Sequence, residues 1–264
     1  MNLLRYTIFG LLQGLTEPLP ISSSGHLLIF RKLFDSDVFN DLNFEIILNF
    51  GSLIAIVFIY FKDIKLLFLN CIKYIKKKEK KYQKDFKYVL LLMLATIPAA
   101  IVGVMWKNEI ESLLKNITVV GISLLVTALF LLIIKDIKGR KEDKDITVLD
   151  AIIIGLFQVV ALIPGISRSG ATIVGSMTRN LKRKNALKFS FLLYIPISIA
   201  SFILGVADIE NISEVWLNYS IGMIAAGVMT YFATIWFIKL VEKGKLIYFV
   251  IYCSIIGGLV IVFM

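Results

Sequence analysis

Residues 10–26, GLLQGLTEPLPISSSGH, return 145 positions later as GLFQVVALIPGISRSG at residues 155–170. The shift needs no gap. It carries Gly10 to Gly155, Leu11 to Leu156, Gln13 to Gln158, Ile21 to Ile166, Ser22 to Ser167, Ser24 to Ser169 and Gly25 to Gly170, and further on Phe44 to Phe189. Such a chain consists of two related halves, and any fold it adopts must house both copies. The surroundings make the stretch unusual. Of the 264 residues 58% are hydrophobic, and the mean hydropathy is +0.83, so the chain is built for lipid. Yet the first copy holds Gln13, Glu17, two prolines, three serines and the only histidine. A bilayer has no water to satisfy these groups, so they are costly there and usually functional. Duplicated membrane proteins place their sites between the halves.

The formal net charge of +10 invites a nucleic-acid reading. Hydropathy excludes it, because most of the excess lies in loops between apolar runs, where positive charge sets orientation. Cys71 and Cys253 match no metal-ligand spacing, and no disulfide framework is expected. The N-terminus resembles a signal peptide only superficially: Glu17 breaks the pattern, and a signal has no reason to recur at residues 155–170.

One polytopic domain, 1–264, is expected, with a first repeat over 1–134 and a second over 145–264. In each repeat a half-length helix breaks at proline and restarts, at 3–34 and at 148–178, which reads as a re-entrant hairpin. Six spans are predicted, at 43–61, 88–106, 117–134, 187–206, 216–238 and 246–263. With the basic segment 62–87 in the cytoplasm, the basic runs 135–145, 179–184 and 239–245 also fall inside, and the acidic loops 35–41 and 208–214 outside. The halves then have opposite orientation. The expected fold is an all-α inverted-topology repeat, about six transmembrane helices plus two hairpins whose tips meet mid-membrane.

At each tip a half-helix begins after the break. Ser22 or Ser23 can cap the first and Ser167 the second. Free N–H groups and the positive dipole ends then make an anion site, and Arg168 adds a fork suited to phosphate oxygens. An arginine at that depth costs roughly 2.5–3.5 kcal/mol, so Glu17 or an anionic ligand should compensate it. Three differences between the copies are informative: Glu17 becomes Leu162, Ser23 becomes Arg168, and His26 becomes Ala171. One hairpin supplies acid and imidazole, the other the cation. That asymmetry suits chemistry on a bound anion. Thr172, one turn beyond Arg168, is a further phosphate ligand candidate. Each residue also has a plain structural role open to it: caps for the serines, backbone bonds for Gln13, core packing for His26.

These residues match a known pattern. QGLTEPLPISSSGH resembles the first motif of the bacterial undecaprenyl-diphosphatases, also called bacitracin-resistance proteins, and PGISRSGAT resembles their second. The resemblance covers the whole chain. It implies a multi-pass cell-membrane phosphatase that removes the terminal phosphate of undecaprenyl diphosphate, recycling the lipid carrier of cell-wall synthesis. It also implies a divalent cation, Mg²⁺ or Ca²⁺, and a site that opens outward. The chain departs from many members in carrying Gln13 where they have glutamate, which weakens any two-metal scheme. On this reading Glu17, Ser23, His26 and Arg168 are catalytic. Ser22, Ser24, Ser167, Ser169 and Thr172 bind phosphate, and Glu17 with Gln13 binds the cation. The nucleophile stays open among Ser23, His26 and a metal-activated water, and the base between His26 and Glu17. The alternative is a transporter or flippase for a polyprenyl phosphate lipid, since broken helices in an inverted repeat are also transporter architecture. A homodimer stays open.

Overall fold

A computed structural model describes residues 2–34, 42–113, 116–206 and 212–264. The acidic loop expected at 35–41 lies outside them, as does most of the one expected at 208–214. Among the described residues the fold is helical, with a single β-bridge between Lys141 and Leu181.

Both broken helices form. Helix α1 (Asn2–Thr16) stops before Pro18, and α2 (Ser23–Phe34) begins after it. Ser22 makes the corner: its φ is +67°, and its Oγ accepts from the Gly25 amide at 3.2 Å. Helix α8 (Val148–Val160) opens on a capping box between Thr147 and Asp150. After Pro164 the chain turns at Gly165 (φ +89°), and α9 (Arg168–Thr178) is capped by Ser167, whose Oγ accepts from Gly170 at 3.1 Å. The same serine cap restarts both halves, as the alignment of Ser22 with Ser167 predicts.

The six stretches expected to span fall on α3 (Leu42–Ile59), α5 (Gln83–Met105), α7 (Ile117–Ile134), α10 (Arg183–Val206), α11 (Ile212–Glu242) and α12 (Ile247–Phe263). Four of the described helices are long and apolar enough to cross a membrane, α5, α7, α10 and α11. A fifth is reached when α3 is taken with the helix after it, α4 (Phe61–Lys77). Helix α12, with 17 residues, falls just short in length.

Small residues bring the helices together. A Cβ on Gly10 or Gly14 would strike the Gly222 and Ala226 carbonyls of α11, so α1 lies directly against α11. Gly155, the counterpart of Gly10, meets the Ala95 carbonyl of α5 in the same way. Gly121 of α7 and Gly257 of α12 face each other. In lipid such close approach is a main source of helix association. Each hairpin thus packs on a long helix of the other half. Phe44 and Phe189, equivalent by the 145-residue shift, are both fully buried.

One expectation is corrected. Residues 62–87 are not a basic loop: α4, a short 3-10 turn and the start of α5 take up nearly all of them. Lysine is a good helix former, and apolar positions recur at Phe61, Ile64, Phe68, Ile72 and Ile75. The chain bends by 74° between α3 and α4. Helix α4 keeps Phe61, Phe68 and Ile75 exposed beside its lysines, the pattern of a helix lying along a membrane surface. Residues 107–116 likewise contain a helix, α6 (Lys107–Leu113).

The basic segments converge on one end of the bundle. Lys188 pairs with Asp63 at 2.7 Å and Asp143 at 3.2 Å, and Arg183 donates to the Ile137 and Lys135 carbonyls. Asp150 takes Lys141 and Arg179, both at 2.8 Å. Burial opposes the Asp150 charge, yet Lys141, the Thr147 amide and Arg179 hold its carboxyl down at about 2. Away from this cluster, Arg31 of α2 pairs with Glu45 at the start of α3, and Lys32 reaches the Met264 carbonyl at 2.5 Å.

Candidate active site

The two breaks meet. Ser167 and Ser169 donate to the Leu19 carbonyl at 3.3 and 3.2 Å. A Cβ on Gly25 would lie 3.3 Å from Gly165, and one on Gly170 would lie 3.2 Å from Pro20. The loop after α1 therefore interlocks with the loop after α8. Beside the junction lies a cavity of about 70 Å³, lined by residues of both tips and of α3.

Glu17 is the hub. One carboxylate oxygen accepts from Gln13 Nε2 at 2.9 Å and from the Ser23 hydroxyl. The other lies 3.8 Å from Arg168 Nη2. The Glu17 side chain is 7% exposed and Arg168 32%, so the pair is shielded on the acid's side and open on the cation's. A separation of 3.8 Å compensates charge without committing the guanidinium fork. Arg168 Nη1 donates to Ser198 Oγ at 3.1 Å, and the guanidinium sits 5.0 Å from the Tyr194 ring centre. The Tyr194 hydroxyl in turn donates to the Asn49 carbonyl at 3.1 Å. Helix α10 thus aims the fork toward the cavity.

The expected residues separate into two groups. Gln13, Glu17, Ser22, Ser23, Ser24, Ser167 and Arg168 all line the cavity. Ser169 and Thr172 lie instead on a smaller cavity behind Arg168, and Thr172 Oγ1 donates back to the Arg168 carbonyl at 3.0 Å. His26 is turned aside: Nδ1 meets the Ser22 carbonyl at 2.8 Å, and Nε2 meets the Tyr252 hydroxyl at 2.7 Å.

The donor set bears on a metal. Among the described residues no three His, Cys, Asp or Glu side chains cluster. The cavity does offer the Glu17 carboxylate, and the buried Gln13 Oε1 has no hydrogen-bond donor. One carboxylate and one amide oxygen fit a hard cation that keeps waters and takes its remaining ligands from a phosphate.

The model of the family described as Bacitracin resistance protein BacA matches residues 6–259. The chain belongs to the BacA family. It is 47% identical to the undecaprenyl-diphosphatase of Oceanobacillus iheyensis, over 100% of this chain and 97% of that one. It is 45% identical to undecaprenyl-diphosphatase 2 of Bacillus thuringiensis, over 99% and 98%. With undecaprenyl-diphosphatase 1 of Halalkalibacterium halodurans it shares 41%, over 98% and 95%.

Sequence reasoning missed four residues around this BacA-family site. Asn49 accepts from Gln13 Nε2 at 2.8 Å, Glu45 lines the cavity, and Tyr194 and Ser198 hold Arg168. Glu45 and Asn49 carried a signal: two polar groups one turn apart inside a predicted span. Tyr194 and Ser198 carried none, because both residue types are common in apolar helices.

Proposed function

We propose that this chain is a membrane undecaprenyl-diphosphatase, hydrolysing the terminal phosphate of undecaprenyl diphosphate and returning undecaprenyl phosphate to cell-wall synthesis. The observation that carries it is the joining of Glu17 and Ser23, from one hairpin, with Arg168, from the other, around a single cavity. The relatives' names fit that chemistry.

The Arg168 fork and the tip amides of Ser22–Ser24 hold the terminal phosphate and stabilise charge as the P–O bond breaks. Ser23 is the nucleophile. Its hydroxyl already donates to Glu17, the general base, and its oxygen attacks phosphorus as undecaprenyl phosphate departs, taking with it the proton that Glu17 received. Of the two bases open from sequence, Glu17 has the geometry; His26 braces α2 against α12 through Tyr252. Glu17 and Gln13 Oε1 are the ligands for Mg²⁺ or Ca²⁺, which would supply charge neutralisation to the diphosphate when bound. Orientation follows from the basic cluster: placing it in the cytoplasm makes the fold an inverted repeat of six spans and two re-entrant hairpins. The cavity, beside Glu45 and Asn49 near the start of α3, then opens outward.

Phosphate release from undecaprenyl diphosphate by the purified protein tests this. Release that is lost in Glu17→Ala and in Arg168→Ala is expected. Full activity in either variant, or lipid translocation without phosphate release, would overturn it.

A further inference from the structure

Behind the Glu17–Arg168 pair lies the second cavity, about 20 Å³, walled by α8, α9 and α10. Two of its lining groups are orphans. Gln158 is 2% exposed, and neither its amide oxygen nor its nitrogen has a partner; Ser190 is 4% exposed, and its hydroxyl has none. The duplication explains how Gln158 came to stand alone. Its counterpart Gln13 donates to Glu17 one turn on, but the position equivalent to Glu17 is Leu162. A buried amide with both ends unsatisfied is costly, and native proteins satisfy such groups with protein or with ordered water.

The size and charge of the cavity select the occupant. A water needs roughly 10–15 Å³ on this measure, so one fits and a phosphate does not. Arg168 on the wall disfavours a cation, and Glu17 disfavours an anion. Gln158 offers a donor and an acceptor, and Ser190 offers either.

We propose that Gln158 and Ser190 hold an ordered water, and that this site feeds the hydrolytic step from behind. The inference rests on the phosphatase reading. The front cavity receives the diphosphate headgroup, and the lipid closes its mouth, so water on that side is displaced. Both Glu17 and Arg168 line the two cavities, and they form the partition between them. Once Ser23 Oγ carries the phosphoryl group, the water oxygen adds to phosphorus. The P–Oγ bond breaks and its electron pair stays on Ser23. One water proton passes through the Glu17 carboxylate to Ser23 Oγ, leaving inorganic phosphate and the free enzyme.

Radiolytic labelling in ¹⁸O-water, on the wild-type protein in nanodiscs, reads the site directly. Phe191, 3% exposed and on this cavity, should take up ¹⁸O well above Phe249, which is 5% exposed and lines neither cavity. Labelling equal to that of Phe249 overturns the proposal. In Gln158→Leu, kcat for phosphate release should fall about tenfold, the loss of one positioned hydrogen bond, with KM falling alongside it, kcat/KM unchanged and phosphoserine accumulating at Ser23. Ser190→Ala, a smaller cut, should move kcat in the same direction if Gln158→Leu does not fold. Full kcat in a folded variant overturns the proposal. A wild-type protein that releases no phosphate overturns the phosphatase reading instead, and the labelling result is independent of it.

Discussion

The two hairpins began as copies and now do different work. In the first, Glu17 faces Ser23 and Arg168; in the second, the equivalent Leu162 packs beside Gly103 of α5. Ser23 and Arg168 are equivalent by position, yet both converge on Glu17. His26 braces α2, while Ala171 at the same position is simply buried. What the copies retain is the frame: glycine contact to a long helix, proline break, serine cap. What they changed is the charge. Symmetry thus builds the cavity and asymmetry equips it, since two carboxylates or two guanidinium groups facing each other would repel.

The comparison can be broken most severely at the first hairpin. Ser23→Ala and Glu17→Ala should each lower phosphate release by on the order of 10⁴ or more, as expected for a nucleophile and its base. Single-turnover assays with labelled lipid check this. Arg168→Ser, which makes the second tip read like the first, should cost about 10²–10³ in rate, the loss of one stabiliser of developing charge. Arg168→Lys should recover only part of it, because the planar fork is lost.

Smaller effects sharpen the contrast. Gln13→Ala should raise the divalent cation needed for half-maximal rate about 10–100-fold, read by titrating Mg²⁺ into metal-stripped enzyme. Gln158→Ala should leave that titration in place. Tyr252→Phe should lower the rate about tenfold or less, because it loosens a brace rather than the chemistry. A larger loss would return His26 to the base's role.

The second hairpin is also anchored by an ion-pair cluster at its start. Asp150 sits between Lys141 and Arg179. Asp150→Asn should cost about 1–3 kcal/mol of stability. The Asp150 carboxyl lies at about 2, below its ordinary 3.8. Its contribution is therefore complete above roughly pH 4 and fades as the pH falls through about 2. Thermal unfolding of wild type minus variant across that window checks it.

The hairpins, their caps and the Glu17–Arg168 pairing were legible because the duplication is gapless and the polar groups stand out against an apolar background. Lysine placement put the basic segments on one side, and the pairing of Lys188 with Asp63 and Asp143 gathers three of them at one end. The direction of His26 was not. Ser23, Ser24 and Leu27 face the cavity, and a residue next to Leu27 points about 100° away on a helix. Spacing alone could not fix that rotation. Tyr194 and Ser198 were hidden for a related reason: their helix is apolar nearly all round, so no stripe told which side met the site. Helix α4 was hidden by its lysines, which read as a solvated loop until its apolar spacing is counted.

If the two tips act as one site, the serine and the arginine are energetically coupled. A double-mutant cycle on phosphate release, with Ser23→Ala, Arg168→Ala and the pair together, tests it most directly. Residues that act as a unit lose about as much singly as together, so the double variant should be scarcely worse than Ser23→Ala alone. Losses that simply multiply would place the serine and the arginine in separate sites and contradict the account.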